Sequence, residues 1–305
     1  MITRHERGNT TWIDLESPTS EELAGIMQEF NIDPRIEEEI ISPTPYPLTI
    51  SAPEYLYIIL HFPTAESKGE TRIQEVDFII GKNFLITSRY ETIESIYNLH
   101  KVFEAEELLG IPEKGSKTAE LLERVMRRLY AAISSEAEQS ARMLERIEKD
   151  IFAGKERQTV RTISEAGRSL LRFETTLTRH EEPLNIFLTN LGAPEFFGKQ
   201  FVPHAAHIEA ERKHAAALVS SYRAVATELR VTNDSLLSSS QNQVMKTFTV
   251  MAVGALPLTL VASIFGMNVI HMPFTNDPIG FWKILCIMAI AGILSFTFFR
   301  LKRWL

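Results

Sequence analysis

Two stretches near the C-terminus contain almost only apolar residues. Residues 247–265 form a run of nineteen without a formal charge, and a second run extends from Ile284 to Phe299. A helix of about 20 apolar residues crosses a hydrocarbon core of about 30 Å, and neither run has the polar face of a helix in a globular protein. The pattern predicts two transmembrane helices, span 1 at about 247–266 and span 2 at 281–300.

Basic residues around the two spans predict their orientation. Lys246 precedes span 1 and a basic group begins at Arg300, whereas residues 269–280 contain no Lys or Arg. Because positive residues favour the cytoplasmic side, both termini are expected in the cytoplasm, with 269–280 as an external loop and 301–305 as a basic tail. No apolar signal segment opens the chain, which suggests a multi-pass protein of the cell membrane.

Ahead of the spans, the pattern changes from strand to helix near residue 90. Strand-like runs at 54–62 and 75–90 are rich in β-branched and aromatic residues, with a turn at Gly81–Asn83. A shorter strand ending at Leu15 is followed by a helix, for which Ser17 is the expected N-cap. Residues 1–90 are therefore predicted to form a cytoplasmic domain with a mixed sheet.

Helical periodicity then continues to the membrane. Apolar positions recur every three or four residues in 92–109, 117–152 and 156–190, within a predicted helical region at 91–203. A stalk helix is predicted from residue 204 to residue 268, continuing into span 1. The expected fold class is an α+β cytoplasmic domain followed by long helices and two C-terminal transmembrane helices.

The net charge of −7 is unevenly distributed. From Ser235 onward, Asp277 is the only acid against five bases, a balance of +4 that leaves −11 for residues 1–234. Nucleic-acid binding needs clustered Lys and Arg, so no nucleic-acid partner is expected, and no nucleotide-binding loop is visible. The single Cys286 excludes an intramolecular disulfide, and no set of nucleophile and base indicates an enzyme.

Small or polar residues recur along span 1 at alternating spacings of three and four. This seam, the spacing of associating parallel helices, consists of Asn242, Met245, Thr249, Ala252, Leu256, Thr259, Ser263 and Gly266. Close helix packing explains small residues, and a water-filled axis explains polar ones. The spacing alone favours close packing, whereas a larger ring would leave a lumen with Met245 and Leu256 as apolar constrictions.

A second stripe lies at the start of the predicted stalk. His204, His207, Glu211 and His214 follow one another at i, i+3, i+7 and i+10. With a neighbouring chain they could ligate Zn²⁺, which prefers histidine nitrogen. The plainer interpretation is a solvated polar face of a long helix.

The segment 242–269 carries the tripeptide Gly266-Met267-Asn268 at the outer end of the first of two terminal spans, and Pro257-Leu258-Thr259 within that span. With these motifs it resembles the pore helix of the CorA family of divalent-cation transporters. The resemblance implies a homopentameric funnel in which five copies of this helix line one pore.

The resemblance also implies roles for single residues. Asn268 corresponds to the residue that binds hydrated Mg²⁺ at the outer mouth, with Gly266 giving the backbone room. Asn242 corresponds to an inner pore asparagine, Met245 to a hydrophobic gate and Thr259 to a pore threonine. A neutral amide suits a weak site for an ion that keeps its waters. A plain helix C-cap at Gly266-Met267-Asn268 is compatible with these roles, since Gly and Asn both tolerate the left-handed region.

Regulation by the transported ion is implied too. In the family, the channel closes when cytoplasmic Mg²⁺ binds acids between protomers, and the charge of −11 has the right sign. Glu37–Glu39 and the group Glu104, Glu106 and Glu107 are available, although such runs are more often solvated helix faces. Two alternatives stay open, a zinc-transporting, ZntB-like member of the superfamily and a non-transporting membrane-anchored helical scaffold or sensor.

Two departures from the family pattern concern the external mouth. Phe265 stands where many members have a tyrosine, and Phe274 follows Met272-Pro273 where many have an acid. Asp277 is the only acid left in the external loop. The preference among Mg²⁺, Co²⁺, Ni²⁺ and Zn²⁺ therefore stays open.

Overall fold

The chain forms two compact units, 1–230 and 231–305. A computed structural model describes residues 1–65, 71–109, 118–267, 273–274 and 277–302. The division between the units falls within one long helix, which begins in the first unit and ends in the second.

One mixed sheet of six strands organises the first unit. In chain order the strands are β1 (Ile2–Arg7), β2 (Thr10–Glu16), β3 (Leu48–Ser51), β4 (Tyr55–Ala65), β5 (Thr71–Gly81) and β6 (Phe84–Arg89). Their spatial order is β1-β2-β6-β5-β4-β3. Only β2 and β6 pair in parallel; the other neighbouring strands are antiparallel. The hairpin of β5 and β6 turns at Lys82 and Asn83, as the sequence predicts.

Seven α-helices are described. They are α1 (Ser20–Glu29), α2 (Pro34–Ile41), α3 (Glu94–Leu108), α4 (Thr118–Phe152), α5 (Glu156–Leu191), α6 (Val202–Phe265) and α7 (Gly280–Leu301). The predicted start of α1 is wrong in one respect. Its N-cap is Thr19, whose hydroxyl accepts from the Glu22 amide while the Glu22 carboxylate accepts from the Thr19 amide. Ser17 instead has a φ of 45° and its hydroxyl donates to the Tyr90 carbonyl.

Both faces of the sheet are covered, because its central strands alternate between two apolar layers. Ile13 and Tyr57 belong to a core shared with α1 and α2. The neighbouring Trp12 points the other way and stacks on His100 of α3, at 4.2 Å between ring centroids. Phe62 of β4 packs against Tyr130 of α4 on that same side. The first unit is thus an α/β/α sandwich, and the predicted fold class is confirmed.

Glycine sets the turn between the two long helices of this unit. Gly154 has a φ of +81°, a conformation that side chains with a Cβ rarely adopt. The Lys155 amide donates to the Asp150 carbonyl and closes the end of α4. The sequence break predicted at Ala153-Gly154 corresponds to this turn.

The two apolar helices predicted at the C-terminus are present. Both α6 and α7 contain an 18-residue apolar window long enough to cross a membrane, of which 0% and 6% respectively is buried. A core helix of a soluble protein would be mostly buried, so these surfaces fit a lipid or a helical partner. Helix α6 begins two residues before the predicted stalk and continues through Pro257 to Phe265.

Candidate functional site

Helix α6 packs on α7 along one stripe. Gly292 of α7 lies against Leu258, where an added Cβ would sit 3.6 Å from the leucine Cδ2 atom. A Cβ on Gly254 would sit 3.9 Å from the Ser295 hydroxyl and 4.0 Å from the Phe299 ring. Between residues 238 and 265, the positions of α6 that are not exposed share this face; they are Val250, Gly254, Pro257, Leu258, Val261 and Phe265.

The seam lies on the opposite face of α6. At about 100° per residue, its positions centre roughly half a turn away from the stripe that meets α7. All eight seam residues are exposed, with Met245 at 64% and Leu256 at 62%. Within the described residues, nothing else in the chain covers the seam, so its small and polar groups remain available to water or to further copies of the helix.

Threonine hydroxyls on the seam are oriented by the helix itself. Thr249 Oγ1 donates to the Met245 carbonyl at 2.8 Å, and Thr259 Oγ1 donates to the Ala255 carbonyl at 2.9 Å. Since each hydroxyl has one hydrogen and two lone pairs, its remaining capacity is as an acceptor. Such oxygens suit a cation or the hydrogens of its hydration shell.

The outer end of α6 closes tightly. The Gly266 amide donates to the Ala262 carbonyl at 2.9 Å and the Met267 amide to the Ile264 carbonyl at 3.3 Å. A Cβ at Gly266 would lie 3.1 Å from the Ala262 carbonyl oxygen, so glycine provides room here. Gly266 does not adopt the left-handed conformation, so Gly266 itself is not a left-handed cap. Asn268 and residues 269–272 lie outside the described residues.

The departures Phe265 and Phe274 are near each other, with ring centroids 6.4 Å apart. Phe274 has a φ of 73°, and its carbonyl oxygen would lie 2.0 Å from a Cβ on Gly280. Glycine is therefore required where α7 begins. The acid and tyrosine of the family pattern are thus replaced by an aromatic contact.

Asp277 serves the start of α7. Its Oδ1 accepts from the Ile279 amide at 3.1 Å, and its Oδ2 accepts from Lys283 Nζ. The Lys283 ammonium, together with the Ile279 amide, holds the pKa of Asp277 below its usual range. Because a cation already balances this carboxylate, Asp277 contributes little negative potential to attract ions.

Part of the histidine stripe meets a carboxylate from another helix. His204 Nδ1 lies 2.5 Å from Glu123 Oε2, and His207 Nδ1 lies 2.9 Å from Glu123 Oε1. Burial raises the pKa of Glu123, but the hydrogen bonds to the two histidines outweigh burial, and its pKa is lowered. His214 is exposed. In the described part of the chain, no group of three or more His, Cys, Asp or Glu is already arranged to hold a metal ion.

The acidic runs considered from the sequence are partly paired within the chain. Glu106 binds Arg7 at 2.6 Å and Arg124 at 2.9 Å, and Glu104 binds Lys101 at 2.9 Å. Such pairs reduce the negative charge offered to a divalent ion. They make Glu104 and Glu106 weaker candidates for a regulatory site.

Sequence reasoning missed two buried acids on β5. Glu75 and Asp77 occupy alternate positions on one face, with exposures of 5% and 1%. Burial and the neighbouring Glu75 and Glu39 raise the pKa of Asp77 well above its usual range, while the Tyr57 hydroxyl donates to its Oδ1 at 2.6 Å. The sequence signal that could have revealed them is the pair of acids at positions i and i+2 of an otherwise apolar strand, which places both on one face.

Comparison with known proteins identifies the architecture. A sequence profile of CorA-like Mg²⁺ transporter proteins matches residues 8–303, nearly the whole chain. The chain belongs to the CorA-like Mg²⁺ transporter family. It is therefore a membrane protein of a divalent-cation transporter family, a class distinct from enzymes.

CorA relatives match over almost their full length. The cobalt/magnesium transport protein CorA of Thermotoga maritima is 25% identical, with 100% of this chain and 86% of the relative covered. The complete structure of the CorA magnesium transporter from Methanocaldococcus jannaschii has a TM-score of 0.84 at 22% identity, covering 99% of this chain and 93% of that one. The predicted family resemblance is confirmed.

A second solved structure shares the fold at lower similarity. The ZntB cytoplasmic domain from Vibrio parahaemolyticus has a TM-score of 0.62 at 10% identity, covering 76% of this chain and 90% of that domain. At this identity the likeness concerns the fold alone. The ZntB-like alternative thus has weaker support than CorA.

Proposed function

We propose that this chain forms a homopentameric channel that admits Mg²⁺ across the cell membrane. The observation that carries the proposal is the seam of α6, which faces away from α7 and presents threonine acceptors beside Asn242, Ser263 and Gly266. Five such helices around one axis would place α7 outside, towards lipid, and the seam inside. The names of the CorA relatives support Mg²⁺ and Co²⁺ as cargo, with Ni²⁺ or Zn²⁺ as further candidates.

Asn268 is the proposed outer ion site. A neutral amide oxygen can accept hydrogen bonds from the water shell that Mg²⁺ gives up reluctantly. Weak binding of this kind permits release into the pore. Two charges crossing 100 mV gain about 4.6 kcal/mol, so an inside-negative membrane potential suffices to drive entry without a nucleotide.

Orientation and gating complete the proposal. The bases at Lys246 and from Arg300 onward favour a cytoplasmic position for both termini. The acidic residues 1–234 would then meet Mg²⁺ that has entered, and binding between protomers would favour the closed state. Met245 and Leu256 are the proposed apolar constrictions.

Flux into liposomes tests this function. Purified chain is reconstituted, an inside-negative potential is applied, and Mg²⁺ entry is followed with a trapped dye. We expect Asn268→Ala to lower entry at least tenfold, because the outer ring loses its acceptors, while Asn276→Ala in the same loop leaves entry unchanged. Native mass measurement checks for pentamers.

Three results would contradict the proposal. Equal flux in wild type and Asn268→Ala removes the role of Asn268. No flux in either variant, with pentamers confirmed, favours the scaffold alternative. Faster entry of Zn²⁺ than of Mg²⁺ in the same vesicles favours the zinc-transporting alternative.

A further inference from the structure

Three potential zinc ligands converge where α6 begins. The Glu123 cluster, defined as Glu123, His204 and His207, joins one carboxylate of α4 to two imidazoles of α6. The three residues lie within the first unit, and the acid is separated by about 80 positions from the histidines in sequence. Both Nδ1 atoms point at the same carboxylate, one at each oxygen.

The chemistry of this set suits zinc rather than magnesium. Two imidazole nitrogens and a carboxylate with one open position form a recurrent Zn²⁺ ligand set. Mg²⁺ prefers oxygen ligands and keeps its waters. We propose that the Glu123 cluster binds one Zn²⁺ per chain, at a site separate from the ion pathway.

Zinc binding requires the hydrogen bonds within the cluster to open. With Zn–N and Zn–O bonds of about 2.0–2.1 Å, a tetrahedral metal holds nitrogen and oxygen roughly 3.3 Å apart. The present separations are 2.5 and 2.9 Å, so each of these two nitrogen–oxygen separations has to widen by less than about 1 Å, while the two imidazoles turn towards one shared ion. The Nδ1 protons that now bind the carboxylate shift to Nε2 of a neutral ring or leave to solvent from a charged one.

Access and neighbouring charge are compatible with binding. The side chain of His207 is 60% exposed, which gives zinc a route in from solvent, whereas Glu123 is 12% exposed. Arg127 Nη1 lies 3.3 Å from Glu123 Oε1, and Arg127 Nε lies 3.6 Å from Glu211 Oε2. Because its own side chain is 51% exposed, Arg127 is free to swing towards Glu211 when a cation takes its place beside Glu123.

The predicted histidine stripe is thereby revised. Glu123 replaces His214 as a ligand, since His214 is exposed and takes no part in the cluster. Glu211 contacts the cluster only through Arg127. A second chain, which the sequence interpretation required, is not needed.

Zinc titration of the full-length protein in detergent tests the site. Affinity is measured against a chromophoric chelator, for wild type, Glu123→Gln, His207→Gln and the matched control His214→Gln. We expect one Zn²⁺ per wild-type chain, a loss of at least tenfold in affinity for the two cluster variants, and no change for the control. A large excess of Mg²⁺ should leave bound zinc in place.

Other results overturn the inference. No zinc retained by wild type, an equal loss in His214→Gln, or displacement by Mg²⁺ at comparable concentration each rejects it. Circular dichroism and elution volume verify folding, and His207→Gln, at an exposed position, supplies the readout if Glu123→Gln fails to fold. Because binding rather than flux is measured, the outcome is independent of the proposed transport.

Discussion

His180 illustrates how one buried side chain is fixed by its neighbours. Its Nε2 accepts a hydrogen bond from the His61 amide at 3.1 Å, so its Nδ1 carries the proton and faces the Tyr130 hydroxyl at 3.1 Å. The ring is fully buried, and burial lowers its pKa to about 3. A proton on Nε2 would also point at the hydrogen of the His61 amide, so this position accommodates only the neutral ring.

Acid should therefore destabilise the first unit through His180. The ordinary pKa of 6.5 is depressed in the folded state, so the unfolded chain binds more protons between pH 6.5 and about 3, and stability falls as the pH falls. From pH 6.5 to pH 5 the loss is roughly 2 kcal/mol. Thermal unfolding of His180→Gln, which keeps an acceptor for the His61 amide, should show a smaller drop in melting temperature over this window.

The exposed His214→Gln serves as the control in the same measurement. It should retain the full pH dependence of wild type. A drop for His180→Gln as large as that of wild type would show that other groups cause the acid sensitivity.

Single residues differ in how well the sequence predicts them. Thr259 could be assigned to the seam because helical spacing is local. Glu123 could not be assigned to the histidines, because only the packing of α4 against α6 brings it near. Ser17 fits the composition of a cap, yet the capping box of Thr19 and Glu22 satisfies two backbone amides at once and prevails.

At the level of elements, the helices can be predicted from local sequence, whereas the order of the strands in the sheet cannot. Apolar periodicity predicted α4 and α5 to within one residue at each end, because every turn repeats the same constraint. The parallel pairing of β2 with β6 joins segments about 70 residues apart, and no local pattern encodes such a partner. The seam of α6 is predicted only in part. Its spacing can be read from the sequence, but only the contacts with α7 show that the seam lies on the opposite face of the helix.

The two-faced character of α6 leads to a paired prediction. Thr259 and Thr247 both donate to the carbonyl four residues earlier, but they lie about 120° apart around the helix. Thr259→Val should lower Mg²⁺ flux about fivefold, the effect of losing roughly 1 kcal/mol of hydrogen bonding in the pathway. Thr247→Val, equal in size and chemistry, should leave flux unchanged in the liposome assay.

Wild-type flux through both valine variants would remove the seam from the ion pathway. An equal loss of flux in both would attribute the effect to helix stability instead. Only loss confined to Thr259→Val supports a pathway along this face.

At the scale of the whole molecule, the uneven charge and the exposed apolar helices both indicate one part in water and one part in a membrane. The first 234 residues carry −11 and the remainder +4, while the apolar windows of α6 and α7 are almost wholly unburied in one chain. A single copy cannot hide these surfaces from water. Lipid would cover the outward faces, and in the proposed pentamer the five seams would face one another across the pore.

A pentamer multiplies the effect of a substitution in the seam. Leu256, 62% exposed in one chain, would form a ring of five apolar side chains that excludes water when the pore is narrow. Leu256→Asn would place five amides there, so we expect Mg²⁺ entry to rise several-fold, most clearly at high internal Mg²⁺. Leu256→Met keeps the ring apolar at similar volume and should behave as wild type. Unchanged entry in Leu256→Asn, with pentamers intact, would place the constriction elsewhere, and Met245→Asn would then be the next ring to measure.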